Sequence, residues 1–367
     1  MDSPPSINGI NVPELLTDVI NNSNKRRRAM KKITILGIDL AKNSFQLHGI
    51  NAEGKVILRK KVSRSQLSSI VANLPACLIG LEACSGASYW AREFSSYGHN
   101  VKLISPQFVK PYIKSNKNDA EGICEAVSRP SMRFVPIKTL EQQDIQSIHR
   151  IRSRLIKDKT ALMNSIRGLL HEYGISIPQG ISSLKKKLVE LSDVEITSTT
   201  LFFCRDLYEE LIEKDNKIKK YDEKINMIFK SNEICKRIET VPGVGKQTAT
   251  IIFTALGNGI EFKNGREFAA YLGLVPRQSS TGGKTKLLGI SKRGDKYIRS
   301  LLVHGARSVV LNSSKKEDER SLWVQRLKEK KGMNKTTVAI ANRNARIIWA
   351  IVNKNTMYKT KEELIAG

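Results

Sequence analysis

Two carboxylates each follow a short apolar stretch, and their positions predict a shared metal site. Asp39 ends the run 33–39, and Glu82 ends the run 77–82. Apolar runs of this length bounded by turn residues are typical of buried strands, and ligands bind at strand ends in such sheets. Carboxylate oxygens suit Mg²⁺ or Mn²⁺. Three alternatives stay open: a Mg²⁺–ATP site as in sugar-kinase and actin-like folds, a capping role for Asp39, and a helix N-terminal role for Glu82.

A second candidate for chemistry is a run of three hydroxyl side chains before a glycine pair. Ser279, Ser280 and Thr281 precede Gly282-Gly283. Basic residues follow, namely Lys284, Lys286, Lys292 and Arg293. A hydroxyl nucleophile needs access and surroundings that lower its pKa or stabilise phosphorane charge, and this segment offers both. A flexible loop that binds phosphate without forming a bond fits the same residues, and sequence chemistry alone favours that alternative.

The charge of the chain points to nucleic acid as its partner. Among 367 residues, 62 Lys and Arg outnumber 35 Asp and Glu, which gives a formal charge of +27. Such an excess is typical of proteins that bind phosphate backbones, so a phosphodiester is the expected substrate of the acidic site. The alternatives are a solvated basic surface and a ribosome-associated protein without catalysis. The five cysteines are scattered, which indicates a reducing cytosol, and no apolar stretch is long enough to span a membrane.

Residues 31–139 alternate between strand and helix patterns, which indicates an α/β domain. The patterns predict strands at 33–39, 44–50 and 55–62, a helix at 64–73, a strand ending at Glu82, a helix at 87–97, a strand at 101–104 and a helix beginning near Asp119. A three-strand meander followed by alternating helices and strands is the order of a ribonuclease-H-like domain. The last helix would bring Asp119 to the acidic site as a third carboxylate.

Residues 140–237 predict two long helices that pair as a coiled-coil hairpin. Apolar residues recur every seven positions; they are Ile148, Leu155, Leu162 and Leu169 in the first helix, and Leu211, Ile218 and Ile225 in the second. A loop containing Gly174, Pro178 and Gly180 separates the helices. We expect basic residues of the first helix to contact nucleic acid, among them Arg150, Arg152, Arg154 and Lys157. A solvated helix face is the alternative.

Residues 238–355 predict a second, mostly helical domain. The run 240–249 resembles a helix-hairpin-helix turn, in which Gly243 and Gly245 let backbone N–H groups approach a phosphate beside Lys246. An ordinary tight turn is the alternative. Further nucleic-acid contacts are expected from Lys284, Lys292 and Arg293. The polar segment 1–30 ends in a basic cluster and is predicted to be an extra, disordered segment; a basic arm that contacts the phosphate backbone is the alternative. Residues 356–367 form a tail.

Together these motifs resemble the DEDD transposases of bacterial insertion sequences, the "one-ten" family, and within it the "eleven-eleven" group. The resemblance covers about residues 31–355, and the motifs occur in the family's order and spacing. They are Gly37-Ile38-Asp39, Gly80-Leu81-Glu82-Ala83, Asn118-Asp119-Ala120-Glu121, Val241-Pro242-Gly243-Val244-Gly245, the run 271–278, the hydroxyl and glycine run 279–284, and the run 290–295.

The resemblance implies a DNA transposase, a site-specific recombinase acting on element ends and target DNA. The N-terminal domain would be RuvC-like, with Asp39, Glu82 and Asp119 binding Mg²⁺ or Mn²⁺. The C-terminal domain would supply Ser280 as the nucleophile of a phosphoserine link, with Ser279 and Thr281 as adjacent rivals. The resemblance further implies a homo-oligomer, a dimer or tetramer, guided by an element-encoded RNA and located with the nucleoid in the bacterial cytoplasm.

The third acidic site departs from the family pattern. The family has two aspartates three apart, whereas the run 114–121 reads as though three residues, including the first aspartate, were absent. Helical spacing predicts that Glu125 points near the ligand direction and that Glu121 does not. The lost carboxylate predicts an impaired copy. A Holliday-junction-type endonuclease using the acidic site alone, and a catalytically dead nucleic-acid-binding protein, are the alternatives.

Overall fold

A computed structural model describes residues 33–113, 119–191, 196–282 and 284–359. The predicted N-terminal segment 1–30, the run 114–118 at the shortened third acidic site, and the end of the tail at 360–367 lie outside these ranges. The chain divides into two compact units on either side of the Thr139–Leu140 bond. Each unit has its own hydrophobic core.

A mixed six-stranded sheet forms the centre of the first unit. Its strands are β1 (Ile35–Asp39), β2 (Ser44–Ile50), β3 (Val56–Ser63), β4 (Leu78–Glu82), β5 (Asn100–Ile104) and β6 (Phe134–Val135). Their spatial order is β3-β2-β1-β4-β5-β6. The central strands β1, β4 and β5 run parallel, and the outer strands pair antiparallel. The carboxyl ends of β1 and β4 therefore meet at one edge of the sheet.

Helices pack on both faces of this sheet. Leu36 and Ile38 of β1 join one core with α1 (Arg64–Ala72) and α2 (Ala87–Ser96). On the other face lie α3 (Pro106–Val109) and α4 (Asp119–Ser128). Strands covered on both faces read as continuous apolar runs, which explains the runs before Asp39 and Glu82. The predicted α/β character is confirmed, with most element ends within one or two residues of prediction.

The second unit is mostly helical, as predicted. Its helices are α5 (Leu140–His171), α6 (Ile181–Glu190), α7 (Ser198–Ser231), α8 (Glu233–Glu239), α9 (Lys246–Leu256), α10 (Gly265–Tyr271), α11 (Lys296–Asn312), α12 (Glu319–Lys331) and α13 (Met333–Asn353). One β-hairpin interrupts them, formed by β7 (Pro276–Thr281) and β8 (Lys284–Ile290). Across the described ranges, no helix combines the length and apolar character needed to cross a membrane.

The long helices α5 and α7 pack along each other. The predicted heptad row of α7, Leu211, Ile218 and Ile225, is buried, while the row of α5 is half-buried. The connection differs from the expected plain loop because it contains α6, whose Leu184 and Leu188 pack into the core at this end of the helix pair. The hairpin thus ends in a small core of its own.

The polar stretch before Lys284 forms a strand, in contrast to the predicted flexible loop. β7 pairs with β8 in antiparallel register from Pro276↔Ile290 to Thr281↔Lys284. The turn uses Gly282 with a φ of +57°, which glycine adopts without steric cost. All six residues of β7 are exposed. Backbone pairing rather than burial holds these strands, so a hydrophobic pattern does not reveal them.

Candidate active site and nucleic-acid interface

Two glycines allow a helix to lie directly against the strands that carry the acidic residues. A Cβ on Gly37 would overlap the carbonyl oxygen of Ala120, and a Cβ on Gly80 would lie 2.9 Å from Val127 Cβ. Any larger residue would push α4 away from β1 or β4, since packed interiors have no spare volume. This close approach positions Asp119, the first residue of α4, relative to the strand ends.

Asp39, Glu82 and Asp119 form an acidic cluster that links two strand ends and a helix start. Asp39 ends β1, Glu82 ends β4, and both are half-buried. Burial raises the pKa of Asp39, and the negative charge of Asp119 raises it further. The pKa of Glu82 is raised by burial, then by the charges of Asp39 and Asp119. Carboxylates that oppose one another's ionisation are stabilised by a bound cation.

The acidic cluster fits a hard divalent cation in its donor atoms but not in the spacing of its side chains. Carboxylate oxygens are the ligands that Mg²⁺ and Mn²⁺ take. Within the described ranges, no three His, Cys, Asp or Glu side chains are close enough together to hold a metal ion. To hold an ion, the side chains of Asp39, Glu82 and Asp119, whose charges already repel one another, would have to move closer together around it.

Two further carboxylates of α4 are engaged in ion pairs. Arg59 of β3 donates to Glu121 at 2.9 Å, and Arg129 donates to Glu125 at 2.5 Å. Arg129, the residue after the end of α4, thus holds the Glu125 carboxylate, and the direction of Glu125 toward the ligand site stays a prediction.

A row of side chains crosses the sheet from Asp39 to the edge strand. Asp39 pairs with Gln46 of β2, and Gln46 pairs with Lys61 of β3. Opposed residues in antiparallel strands share a face, so Lys61 lies on the face of Asp39, about 10 Å away at a strand spacing of about 4.8 Å. Its neighbour Lys60 pairs with the buried Leu47 and belongs to the opposite face. Sequence reasoning missed Lys61 because only strand register connects it with Asp39.

Ser280 presents its hydroxyl on the exposed strand β7. The amide nitrogen Nε2 of Gln278 donates to Ser280 Oγ at 2.8 Å. Ser279 and Thr281 lie on the opposite face of the hairpin, because successive strand residues alternate. Ser279 shares that face with its cross-strand partner Lys286. The hydroxyl of Ser280 therefore lies on one face of the hairpin and those of its two rivals lie on the other, which the sequence could not show.

The turns at 273 and 294 meet backbone to backbone at the base of the hairpin. A Cβ on Gly273 would overlap the carbonyl oxygen of Arg293, and a Cβ on Gly294 would overlap that of Tyr271. Lys292 adopts a φ of +55°, and its N–H donates to Gly273 O at 3.1 Å. Lys292 and Arg293 are exposed, so this constrained junction presents both cations beside the root of the hairpin.

In the helix-hairpin-helix-like turn, the two glycines have different roles. A Cβ on Gly243 would lie 2.7 Å from the carbonyl oxygen of Gly305 in α11, so Gly243 serves helix packing. This use differs from the predicted approach to phosphate. Gly245 is the N-cap of α9, and a Cβ there meets no described atom within 4 Å. Gly245 and Lys246 line a cavity of about 430 Å³, which leaves this side of the turn open to an anion.

Of the four α5 residues that were predicted to contact nucleic acid, Arg152 is partly buried and the other three are exposed. The Arg152 side chain is only 12% exposed and donates to both carboxylate oxygens of Asp222, at 2.6 and 3.2 Å. Arg152 thereby joins α5 to α7, which differs from the predicted contact with nucleic acid. Arg150, Arg154 and Lys157 are exposed and line a cavity of about 460 Å³ beside the start of α11.

His149, which the sequence did not single out, joins α5 to α9 and α11. It is fully buried, with Nε2 2.9 Å from Thr250 Oγ1 and Nδ1 3.2 Å from Tyr297 Oη. The Thr250 hydroxyl donates to the carbonyl oxygen of Lys246, so it accepts from Nε2–H, and Nδ1 accepts from Tyr297. Burial, then the charge of Arg152, lowers the pKa of His149 to about 4, which keeps the imidazole neutral.

Comparisons with known proteins identify the family. A family model described as "Transposase IS116/IS110/IS902 family" matches residues 235–321, and a model for DEDD transposases of the IS110 type, described as "Transposase", matches residues 36–175. The chain is 47% identical to "Transposase for insertion sequence element IS1111A" of Coxiella burnetii, over 91% of this chain and 94% of that protein. It is 44% identical to "Probable family 20 transposase" of Pseudomonas aeruginosa, over 88% and 98%. It is 40% identical to "Transposase for insertion sequence element IS1328" of Yersinia enterocolitica, over 90% and 99%.

These matches span both units of the chain. They agree with the motif order, the α/β first unit and the helical second unit. The chain therefore belongs to the IS110 family of DEDD transposases and is a DNA transposase enzyme.

Proposed function

We propose that this transposase cuts and rejoins DNA with a divalent-metal site in its first unit and a serine nucleophile in its second. Asp39, Glu82 and Asp119 would hold Mg²⁺ or Mn²⁺, and Ser280 would attack the DNA backbone. The acidic cluster is the observation that carries the proposal. Burial and mutual repulsion raise the pKa values of the carboxyl groups at the ends of two strands, although the chain as a whole has a charge of +27. The ion would stabilise negative charge on the reacting phosphate.

In the proposed step, Ser280 Oγ forms a bond to phosphorus and the bond from phosphorus to the leaving DNA oxygen breaks. The hydroxyl proton leaves Ser280, and the leaving oxygen takes up a proton. The hydroxyl of another DNA end then bonds to phosphorus and loses its proton, while the bond from phosphorus to Ser280 Oγ breaks and Oγ takes up a proton, which restores the phosphodiester and the serine. The hydrogen bond from Gln278 to Oγ supports this role, since it orients the oxygen while leaving the O–H free to be donated.

The first unit is proposed to be RuvC-like, with DNA crossing the sheet from the acidic cluster toward β3. Helices on both faces of a mixed sheet and carboxylates at adjacent strand ends support the fold assignment. The row Asp39–Gln46–Lys61 supports the path. Lys61 would bind a phosphate neighbouring the one that is cut, because a lysine ammonium attracts phosphate as a point charge.

The proposal extends to a guide RNA and to a homo-oligomer, a dimer or tetramer. Exposed Arg150, Arg154 and Lys157 supply cations for RNA or DNA along α5. The acidic cluster and Ser280 belong to different units, which suits the family's use of residues from different subunits. The reaction would take place at the nucleoid in the bacterial cytoplasm.

A DNA cleavage assay with Mg²⁺ tests the role of the acidic cluster. Asp119→Asn should abolish cleavage, because it removes a carboxylate that would hold the ion. Glu125→Gln on the same helix should leave cleavage within about twofold, since Arg129 already engages that carboxylate and exposed ion pairs contribute little. Equal losses in the two variants would contradict the assignment of Asp119.

A further inference from the structure

A groove between α10, α12 and α13 has the composition of a binding site for unpaired nucleotides. Its volume is about 700 Å³, within the usual range for small-ligand sites. Its described lining contains three arginines, two tryptophans and no acidic residue; the arginines are Arg266, Arg343 and Arg346, and the tryptophans are Trp323 and Trp349. Neither the acidic cluster nor the serine hairpin uses this groove.

Rigid packing fixes the floor and one wall of the groove. A Cβ on Gly265 would lie 2.8 Å from the carbonyl oxygen of Arg346, so the start of α10 lies directly on α13. The indole N–H of Trp349 donates to the carbonyl oxygens of Gly259 and Phe262, each at 3.1 Å. The N–H of Trp349 is thus satisfied within the protein, and its half-buried ring is held in one orientation.

Another part of the lining is a guanidinium placed over an indole ring. The Arg343 guanidinium carbon lies 4.5 Å from the ring centroid of Trp323, and Arg343 is exposed while Trp323 is half-buried. Unpaired bases stack on aromatic rings and on guanidinium planes. Arginine also binds phosphate through paired N–H donors. One wall can therefore receive a base while the neighbouring arginines receive its phosphates.

We propose that this groove binds a single-stranded stretch of nucleic acid, with a base stacked at Arg343 and Trp323 and phosphates bound by Arg266 and Arg346. A duplex keeps its bases stacked inside the helix and cannot offer one to the wall. The inference deepens the proposed function and rests on it only in taking nucleic acid as the ligand.

Tryptophan fluorescence offers a local test. The chain has three tryptophans; Trp323 and Trp349 line the groove, whereas Trp90 is 4% exposed in the first unit. Oligothymidylate or oligouridylate of about a dozen nucleotides, added to the full chain without divalent metal, should quench the emission. Quenching by DNA only, RNA only or both would support the site and would show whether it distinguishes the two strands, which differ in the 2′-hydroxyl and in the thymine methyl group.

Matched arginine variants make the test specific. Arg343→Ala should weaken the binding that causes quenching by roughly tenfold, which is typical for the loss of one stacking contact. Arg326→Ala is the control, because Arg326 is exposed on α12 outside the groove lining. Equal behaviour of the two variants, no quenching, or equal quenching by a duplex would overturn the proposal. Metal-dependent cleavage is measured separately, so either idea can fail alone.

Discussion

Half-burial raises the pKa of Asp39 and of Glu82, and neighbouring carboxylates raise both further. A carboxylate with a raised folded-state pKa contributes its full stability below its ordinary value, 3.8 for Asp39 and 4.5 for Glu82, and loses it as pH rises through the raised value. At neutral pH the acidic cluster therefore lowers the stability of the metal-free chain. Ionisable groups with strongly shifted pKa values, which lower stability in this way, are typical of functional sites.

Asp39→Asn should raise the melting temperature of the metal-free chain at neutral pH, because the neutral amide removes both burial of a charge and repulsion. Thermal melts should also show that Mg²⁺ at about 100 times its Kd raises the melting temperature of the unmodified chain by about 5 °C. The Asn variant should lose this metal response. Glu53→Gln, at an exposed turn position, is the control; a metal response shared by Asp39→Asn would refute the site.

Single residues were predictable where a local pattern marks them. Asp39 and Glu82 each follow an apolar run, which reports a strand end. The ion pair of Arg152 could not be predicted, because its partner Asp222 lies 70 positions away and nothing in the α5 sequence distinguishes Arg152 from its exposed neighbours. The close contact of Gly243 with Gly305 could not be predicted either, since it depends on how the helices pack.

At the scale of elements, the register of β3 separates two adjacent lysines. Lys61→Ala should weaken DNA binding several-fold and lower the slope of log affinity against log salt by about one, since one phosphate contact is lost. Lys60→Ala should leave the slope unchanged, because Lys60 belongs to the other face of the sheet. Equal slopes in both variants, measured by salt titration, would rule out the proposed path over β3.

The packing of α5 on α9 and α11 depends on a neutral His149. Its lowered pKa, about 4 against the ordinary 6.5, means that stability is complete above pH 6.5 and falls by about 3 kcal/mol as pH drops through that window. His149→Gln should therefore be less stable at pH 7 but show a flatter decline between pH 6.5 and 4. Urea unfolding at several pH values measures the free energy of unfolding of the unmodified chain and of the variant. If the two free energies fall in parallel as pH drops, a group other than His149 is responsible for the decline.

Whole elements were predicted well where burial leaves a pattern in the sequence, either a continuous apolar run or a heptad repeat. The strands before Asp39 and Glu82 and the heptad row of α7 are examples. The hairpin of β7 and β8 was missed because its exposed residues carry no apolar pattern. The helix α6 was missed because Gly174, Pro178 and Gly180 mark the surrounding segment as a loop.

For the molecule as a whole, the charge of +27 and the family assignment both indicate that the chain acts on DNA. The predicted departure of the third acidic site from the family pattern would lower the yield of the reaction without changing the proposed nucleophile. Binding through phosphate contacts does not require the metal. The chemical link between protein and DNA is therefore the feature that separates a serine recombinase from an endonuclease or a binding protein.

The most direct test is a strand-transfer reaction with element ends, guide RNA and Mg²⁺, followed by peptide mapping of any covalent protein–DNA adduct. We expect an adduct on Ser280 that disappears in Ser280→Ala and persists in Ser279→Ala, whose hydroxyl lies on the other face of β7. An adduct that survives in Ser280→Ala would contradict the proposed nucleophile. So would metal-dependent cleavage that proceeds in Ser280→Ala without any adduct, which would instead indicate an endonuclease.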